Sequence, residues 1–509
     1  MKTFARKALS GAAFLCAVAL TACSDDNNEA PAGGNGDGKD PEVTYVGTDA
    51  MSAGILFKSG TQLGNGDQHF HFTGDVTLKK GTYLMKGWVY IDRGAKLTIE
   101  PGTVIKGDKA TKASLIVQPG GYVSAAGTKE APIVMTSAQP AGQRRPGDWG
   151  GLIICGQARN NNGKLPIEGG PGTEHGGDND ADNSGIYQYL RVEFAGYPFQ
   201  TDQEINGITF GSVGSGTTVD HLQVSYSNDD SYEWFGGTVN CKYLIAYKGW
   251  DDEFDTDYGY SGHVQFCLSV RDPRLADTSQ SNGFESDNNA TGAEVSPYTS
   301  ALFSNVTFIG PMAAKNAGFA NNADYINGGT VYPDNGSKLG KFQSAMQIRR
   351  SSKLSCYNSV AVGFPIGLII DGEKGGTPGF ARNGEFHLKN LVFAGMGALG
   401  SDNNKKYEDH LFDKATGTYD PTKFSYSHAF FLSEGNRELS EAALLLTDPL
   451  GVGQNYAPAA GSPLLTGAGF AGVKSAFLNT TVPYVGAFSG ATDAWMEGWT
   501  NFDPQHTAY

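Results

Sequence analysis

Three stretches of this sequence concentrate oxygen ligands and aromatic rings at matching positions. They are Ser227-Asn228-Asp229-Asp230-Ser231-Tyr232-Glu233-Trp234-Phe235-Gly236-Gly237, then Gly249-Trp250-Asp251-Asp252-Glu253-Phe254-Asp255-Thr256-Asp257-Tyr258-Gly259-Tyr260, then Asn282-Gly283-Phe284-Glu285-Ser286-Asp287-Asn288-Asn289. Aligned on their aromatic residues, Asp229 and Asp230 fall over Asp251 and Asp252, and Glu233, Asp255 and Glu285 form a second row. If the stretches lie on neighbouring strands about 4.8 Å apart, the carboxylates repel unless they are protonated, solvated or bridged by a cation. Clustered carboxylates and carbonyl oxygens suit a hard cation such as Ca2+, for which Asp229, Asp230, Asp251, Asp252, Asp255, Asp257, Glu285 and Asp287 are the candidate ligands. Asp255-Thr256-Asp257-Tyr258-Gly259 begins like a calcium loop, but Phe266 stands where an EF-hand needs its glutamate, so it is not one.

The same residues suit carbohydrate chemistry. Two carboxyl groups about 5 to 9 Å apart can hydrolyse a glycosidic bond, and Asp229, Asp230, Glu233, Asp251, Asp252 and Asp255 are the candidates. Tyr232, Trp234, Trp250, Tyr258 and Tyr260 could stack on sugar rings or form ladders inside the fold. A polysaccharide lyase needs instead a base, and Lys248, Arg271, Arg274, Arg349 and Arg350 are available without a spacing that selects one. Three readings stand side by side: a solvated acidic surface whose Asp and Asn shape turns, a Ca2+ site, and a glycan site compatible with calcium. A Gly-Lys-Ser/Thr phosphate loop and a Gly-x-Ser-x-Gly elbow are both lacking. His69 and His71 have no further ligand nearby in sequence, which favours a surface hairpin over a metal site.

Residues so far apart share a surface only if the chain stacks on itself. Glycines number 70, strand-like runs are short, and long helical patterns are few, which points to a solenoid. Leu97-Thr98-Ile99-Glu100-Pro101-Gly102-Thr103-Val104-Ile105 overlays Leu115-Ile116-Val117-Gln118-Pro119-Gly120-Gly121-Tyr122-Val123 at an offset of 18 residues, each a strand, a Pro-Gly corner and a second strand. Further strand-like runs include Tyr189 to Phe194, Val219 to Val224, Cys241 to Ala246 and His263 to Leu268. The expected class is all-β, a single right-handed parallel β-helix over 43–454 with loop insertions, closed by a C-terminal cap over 455–509. Trp149, among glycines, reads as core. Glu168 to Gly185 reads as a long excursion, and Glu438 to Leu446 as a helix stopped by Pro449.

At the N-terminus Lys2, Arg6 and Lys7 precede the apolar run Ala8 to Leu20, which is a secretory signal too short to span a bilayer. Leu20-Thr21-Ala22-Cys23 resembles a lipobox, so residues 1–22 are expected to be removed and Cys23 to carry the acyl chains that hold the protein to a membrane. Residues 23–42 have almost nothing to bury and read as a disordered tether. The net charge of −15 becomes −18 once the three basic signal residues leave 35 basic against 53 acidic, which disfavours nucleic acid as a partner. Cys155, Cys241, Cys267 and Cys356 are too widely spaced for a zinc site and read as buried free thiols.

Taken together, Gly147 to Ile154, Asn183 to Gly196, Gly214 to Asn289 and Tyr484 to Pro504 resemble a family of secreted or lipid-anchored β-helix proteins of Bacteroidetes and related bacteria, with a more distant similarity to the pectin-lyase-like group. The resemblance implies the β-helix and raises the expectation of a polysaccharide ligand, but brings no particular reaction with it. The acidic residues after Cys23 resemble the signal that sends such lipoproteins to the outward face of the cell outer membrane. The expectation is a surface protein that binds or processes a glycan through 228–289, as a polysaccharide lyase or glycoside hydrolase if it turns substrate over. The alternative is a noncatalytic structural or adhesive protein.

Overall fold

The computed structural model describes residues 55–57, 59–199, 204–277, 279–313, 342–402, 409–413, 415–416, 418–420, 422–448 and 454–509; the signal segment, Cys23 and the tether lie outside the described residues. Alternation decides the elements. In Lys96–Ile99, Leu97 and Ile99 are buried while Lys96 and Thr98 face outward, and Val76–Leu78 repeats the pattern. One face of each strand thus feeds a single apolar column. A lone coil could not bury that face, so the coils stack in parallel, as a β-helix.

Among the described residues, eleven strands from Phe70–Phe72 to Ala398–Ser401 form one sheet and eighteen form a second, larger one. In the early coils the larger sheet has two strands per coil, such as Tyr122–Ala126 and Ile133–Ser137. Both pair with the single long strand Gly185–Glu193, the first with its front half and the second with its back half. What merges them is a corner reduced to one residue in the left-handed region: Tyr189 (φ 46°), His221 (56°), Tyr243 (56°), Phe266 (61°), Asn305 (56°), Asn358 (51°) and Asn390 (56°). Non-glycine residues resist this conformation by about 1–2 kcal/mol, and stacking opposes that strain. Tyr189, His221, Tyr243 and Phe266 stack with ring centroids 4.5, 4.4 and 5.1 Å apart. Asparagine tolerates the region better, and Asn390 Nδ2 donates to Asn358 Oδ1 at 3.1 Å.

Several expectations are corrected. The two Pro-Gly copies are different corners rather than successive coils. Leu97 stacks on Val123, 26 residues on, and Leu115 on Val89. His71 is not in a hairpin: it sits on the parallel strand Phe70–Phe72, paired with Trp88–Ile91. The helix expected over Glu438 to Leu446 shrinks to Glu441–Leu444, flanked by the strands Arg437–Leu439 and Leu446–Asp448, with Leu445 left-handed between helix and strand. Trp149 is buried as expected, its indole N–H donating to Glu193 O at 2.8 Å, and all four described cysteines are free and buried.

The end of the helix is covered by the helix Tyr426–Ser433, whose start is capped by the Ser425 side chain. Phe431 lies flat on Phe393 at 4.4 Å, and Phe430 meets Phe386. The segment 455–509, expected as that cover, instead runs back along the flank of the coils. Asn390 donates to Gly469 O, Asn305 to Tyr484 O, Gln265 to Asn479 O, and Gln223 to Asn501 O, at 2.7 to 3.0 Å. It ends against the early coils, where Lys106 Nζ donates to Tyr509 O at 2.6 Å. Trp495 and Trp499 seal the ring ladder at His221.

Candidate functional site

The acidic segments lie on the outer face of the eleven-stranded sheet. Strict alternation turns Tyr232, Trp234, Phe254 and Phe284 into the core and Glu233, Asp255 and Glu285 outward. Register then stacks Thr209, Glu233, Asp255, Glu285 and Gln347 into one row. A second row runs beside it. Asp230 Oδ1 accepts the Asp252 N–H at 2.8 Å, Asp252 accepts the Asn282 N–H, and Asn282 Oδ1 accepts the Ser344 N–H at 3.0 Å. Each side chain in this row therefore holds down the next coil.

Together the rows line a cleft of about 230 Å3, bounded by Asp229, Asp230, Glu233, Asp251, Asp252, Asp255 and Glu285. Three trios of these carboxylates can bring an oxygen from each member within 4.8 Å of the others: Asp229, Asp230 and Asp251; Asp230, Glu233 and Asp255; Asp252, Asp255 and Glu285. Glu168, from the excursion, and Glu204 also line the cleft; both were missed in the sequence because their nearness depends on loop paths rather than strand register. Asp257 and Asp287 lie outside it. Asp257 Oδ1 accepts the Tyr258 N–H, and Asp287 is held by Arg349 at 2.8 Å and Arg350 at 2.6 Å.

Arg349 reaches the cleft edge and pairs with both Glu285 and Asp287. Burial pulls this guanidinium down, but the two carboxylates outweigh it and raise it above its ordinary range, so it stays a cation. Arg271 is fully buried against Glu253 at 3.2 Å, and it donates to the carbonyls of Asp251 and Trp250, which fixes the loop carrying Asp251. Of the other basic candidates, Lys248 and Arg274 sit near Asp272, away from the cleft lining.

Burial pushes Asp229, Asp230, Glu233, Asp252 and Asp255 well above the usual carboxylate range, and neighbouring carboxylates add to it. Asp251 is raised to about 7, chiefly by burial with Asp277 adding to it. Burial lifts Glu285 to about 8 although Arg349 opposes the rise. Without a cation the cleft therefore stores protons at neutral pH. Asp255 Oδ1 is shielded from solvent with no hydrogen-bond partner, an oxygen for which a hard cation is the fitting complement.

The aromatic candidates divide. Tyr232, Trp234 and Tyr260 cannot meet a ligand because each is fully buried. Trp234 stacks between Phe210 at 5.4 Å and Tyr260 at 5.3 Å, while the Tyr232 hydroxyl donates to core carbonyls. Trp250 and Tyr258 are half-buried and retain exposed surface.

No curated protein sequence matches this chain. Among solved structures, the Dettilon tailspike protein shares 10% sequence identity at a TM-score of 0.25, over 64% of this chain; the chain spans about 60% of the tailspike's length. The family model described as a pectate-lyase-like β-helix domain matches residues 70–427, which takes in the strands of the smaller sheet and the whole acidic cleft. The chain belongs to that pectate-lyase-like β-helix family.

Proposed function

We propose that this protein is an outward-facing lipoprotein of the cell outer membrane, held through Cys23, whose acidic cleft binds Ca2+ and, with it, a polysaccharide. What carries the reading is the set of three carboxylate trios, each able to gather its oxygens within 4.8 Å, around a cleft that contains the orphaned Asp255 Oδ1. Asp229, Asp230, Glu233, Asp251, Asp252, Asp255 and Glu285 would hold the ion. A bound Ca2+ supplies positive charge that an acidic sugar can share.

Binding is favoured over turnover. Within each trio the gathered oxygens lie within 4.8 Å of one another, a spacing that one hard cation can bridge. Arg349, the basic side chain at the cleft, is locked as a cation between two carboxylates, which suits it to hold an anionic sugar rather than to remove a proton. Trp250 and Tyr258 are the rings left for sugar contact.

Calorimetric titration of EDTA-stripped protein with Ca2+, then with oligogalacturonate in Ca2+ or EDTA, tests the cleft. Saturable Ca2+ binding and Ca2+-dependent glycan binding, both lost in Asp251→Asn/Asp255→Asn, are the expected result; an unchanged titration in that variant would remove the motivation. Incorporation of radiolabelled palmitate, lost in Cys23→Ala, tests the anchor, and protease accessibility on intact cells tests the outward orientation.

A further inference from the structure

A second cavity, about 810 Å3, opens on the same sheet, toward its N-terminal strands. The row that carries Glu233 continues backward through Thr209 to Ile153, Ile116, Tyr90 and His71. Ile116 and Ile153 are buried in an apolar cluster with Ile167, the residue that leads into the excursion. The excursion thus seals the middle of this face and leaves a polar recess on either side, with Glu168 facing the acidic cleft and 170–178 walling the second cavity.

The recess is organised around His71. Its ring lies flat on Tyr90, with centroids 4.6 Å apart and an interplanar angle of 8°. Nδ1 meets Asp92 Oδ1 at 2.7 Å, and Gln118 Nε2 donates to the same oxygen at 3.1 Å. The contact between Nδ1 and the Asp92 carboxylate pins the ring in one orientation. The walls carry the amides of Gln68, Gln118 and Gln157, and Arg93 braces the last of these at 3.3 Å. Two cations, Arg93 and Lys164, are balanced by two anions, Glu174 and Asp178.

This chemistry differs from that of the acidic cleft. A polyanion would need unbalanced positive charge and a metal ion at least three converging ligands, and among the described residues the lining supplies neither. Side-chain amides and evenly mixed charges instead offer donors and acceptors together, beside a flat ring held rigid from below. That combination matches a ligand with hydroxyls on its edges and an apolar ring face. We propose that this cavity binds a neutral oligosaccharide without a metal ion, with the His71 ring as the platform and Gln118 and Gln157 reading hydroxyls. The assignment does not depend on the acidic cleft binding anything.

The test is calorimetry on the full mature chain in EDTA, with cello-, xylo-, manno- and malto-oligosaccharides as neutral probes and oligogalacturonate as the charged one. At least one neutral probe is expected to bind. His71→Ala should weaken it about tenfold or more, the equivalent of one good contact, and Lys164→Ala, on the exposed rim, should weaken it by a smaller factor without altering Tm. Asp251→Asn/Asp255→Asn should leave it intact, which separates this site from the cleft. Absence of binding by every neutral probe at millimolar concentration, affinity unchanged in both His71→Ala and Lys164→Ala, or loss in the acidic-cleft variant would each overturn the proposal.

Discussion

Glu233 and Asp255 occupy the same register position on adjacent parallel strands, so the ladder that builds the fold also presses two carboxylates together. Their charge can be relieved by protons or by a cation, and the response of stability to pH and to Ca2+ separates these.

In EDTA, stability should fall as pH rises. Burial raises Asp251 to about 7 and Glu285 to about 8, above their ordinary values of 3.8 and 4.5, so the folded state keeps protons that the unfolded chain has already released. Stability is then fully present below about pH 4 from these groups and drains away up to about pH 8. Scanning calorimetry from pH 5 to 8 should show Tm dropping by several degrees; a flat or rising profile would refute the stored protons.

Ca2+ should reverse that loss. At pH 7.5 a concentration of 100 times Kd would stabilise the fold by about 2.7 kcal/mol, and Asp251→Asn/Asp255→Asn should show no such gain. Because the ion displaces protons, the heat of binding should vary with the ionisation enthalpy of the buffer.

Arg349→Met leaves Glu285 without its cation and Asp287 with Arg350 alone. Breaking a buried pair in this way should cost about 3–5 kcal/mol near pH 8, measured by urea unfolding, and less at pH 5, where Glu285 is protonated. Equal losses at both pH values would point to packing instead of charge.

Trp234→Ala should cost about 3–5 kcal/mol, as large core truncations do, whereas Trp250→Ala should cost less than about 1 kcal/mol. If Trp250 meets sugar, its variant weakens glycan binding at unchanged Tm. A severe loss of stability on Trp250→Ala would place that ring among the structural residues.

The row of Glu233, Asp255 and Glu285 was legible because Tyr232-Glu233, Phe254-Asp255 and Phe284-Glu285 share one pattern, an inward aromatic followed by an outward acid, and the sheet preserves it. The same alternation already forbids Tyr232 and Trp234 from facing a ligand beside Glu233, since neighbours on a strand point to opposite faces. The true coil length was hidden because Pro-Gly marks more than one corner of each turn. Arg271 beneath the Asp251 loop, Glu168 at the cleft and the return of 455–509 left no trace, for contacts across loops or hundreds of residues have no period.

That returning segment changes how the whole rod can come apart. A stack in which each turn touches only its neighbours can fray one turn at a time from either end. Here Gly469, Tyr484, Asn501 and Tyr509 are fastened to turns spread from the last part of the stack to the first. Peeling a turn between Lys106 and Asn390 therefore first requires stripping part of a seam shared with its neighbours, so this stretch resists unravelling one turn at a time.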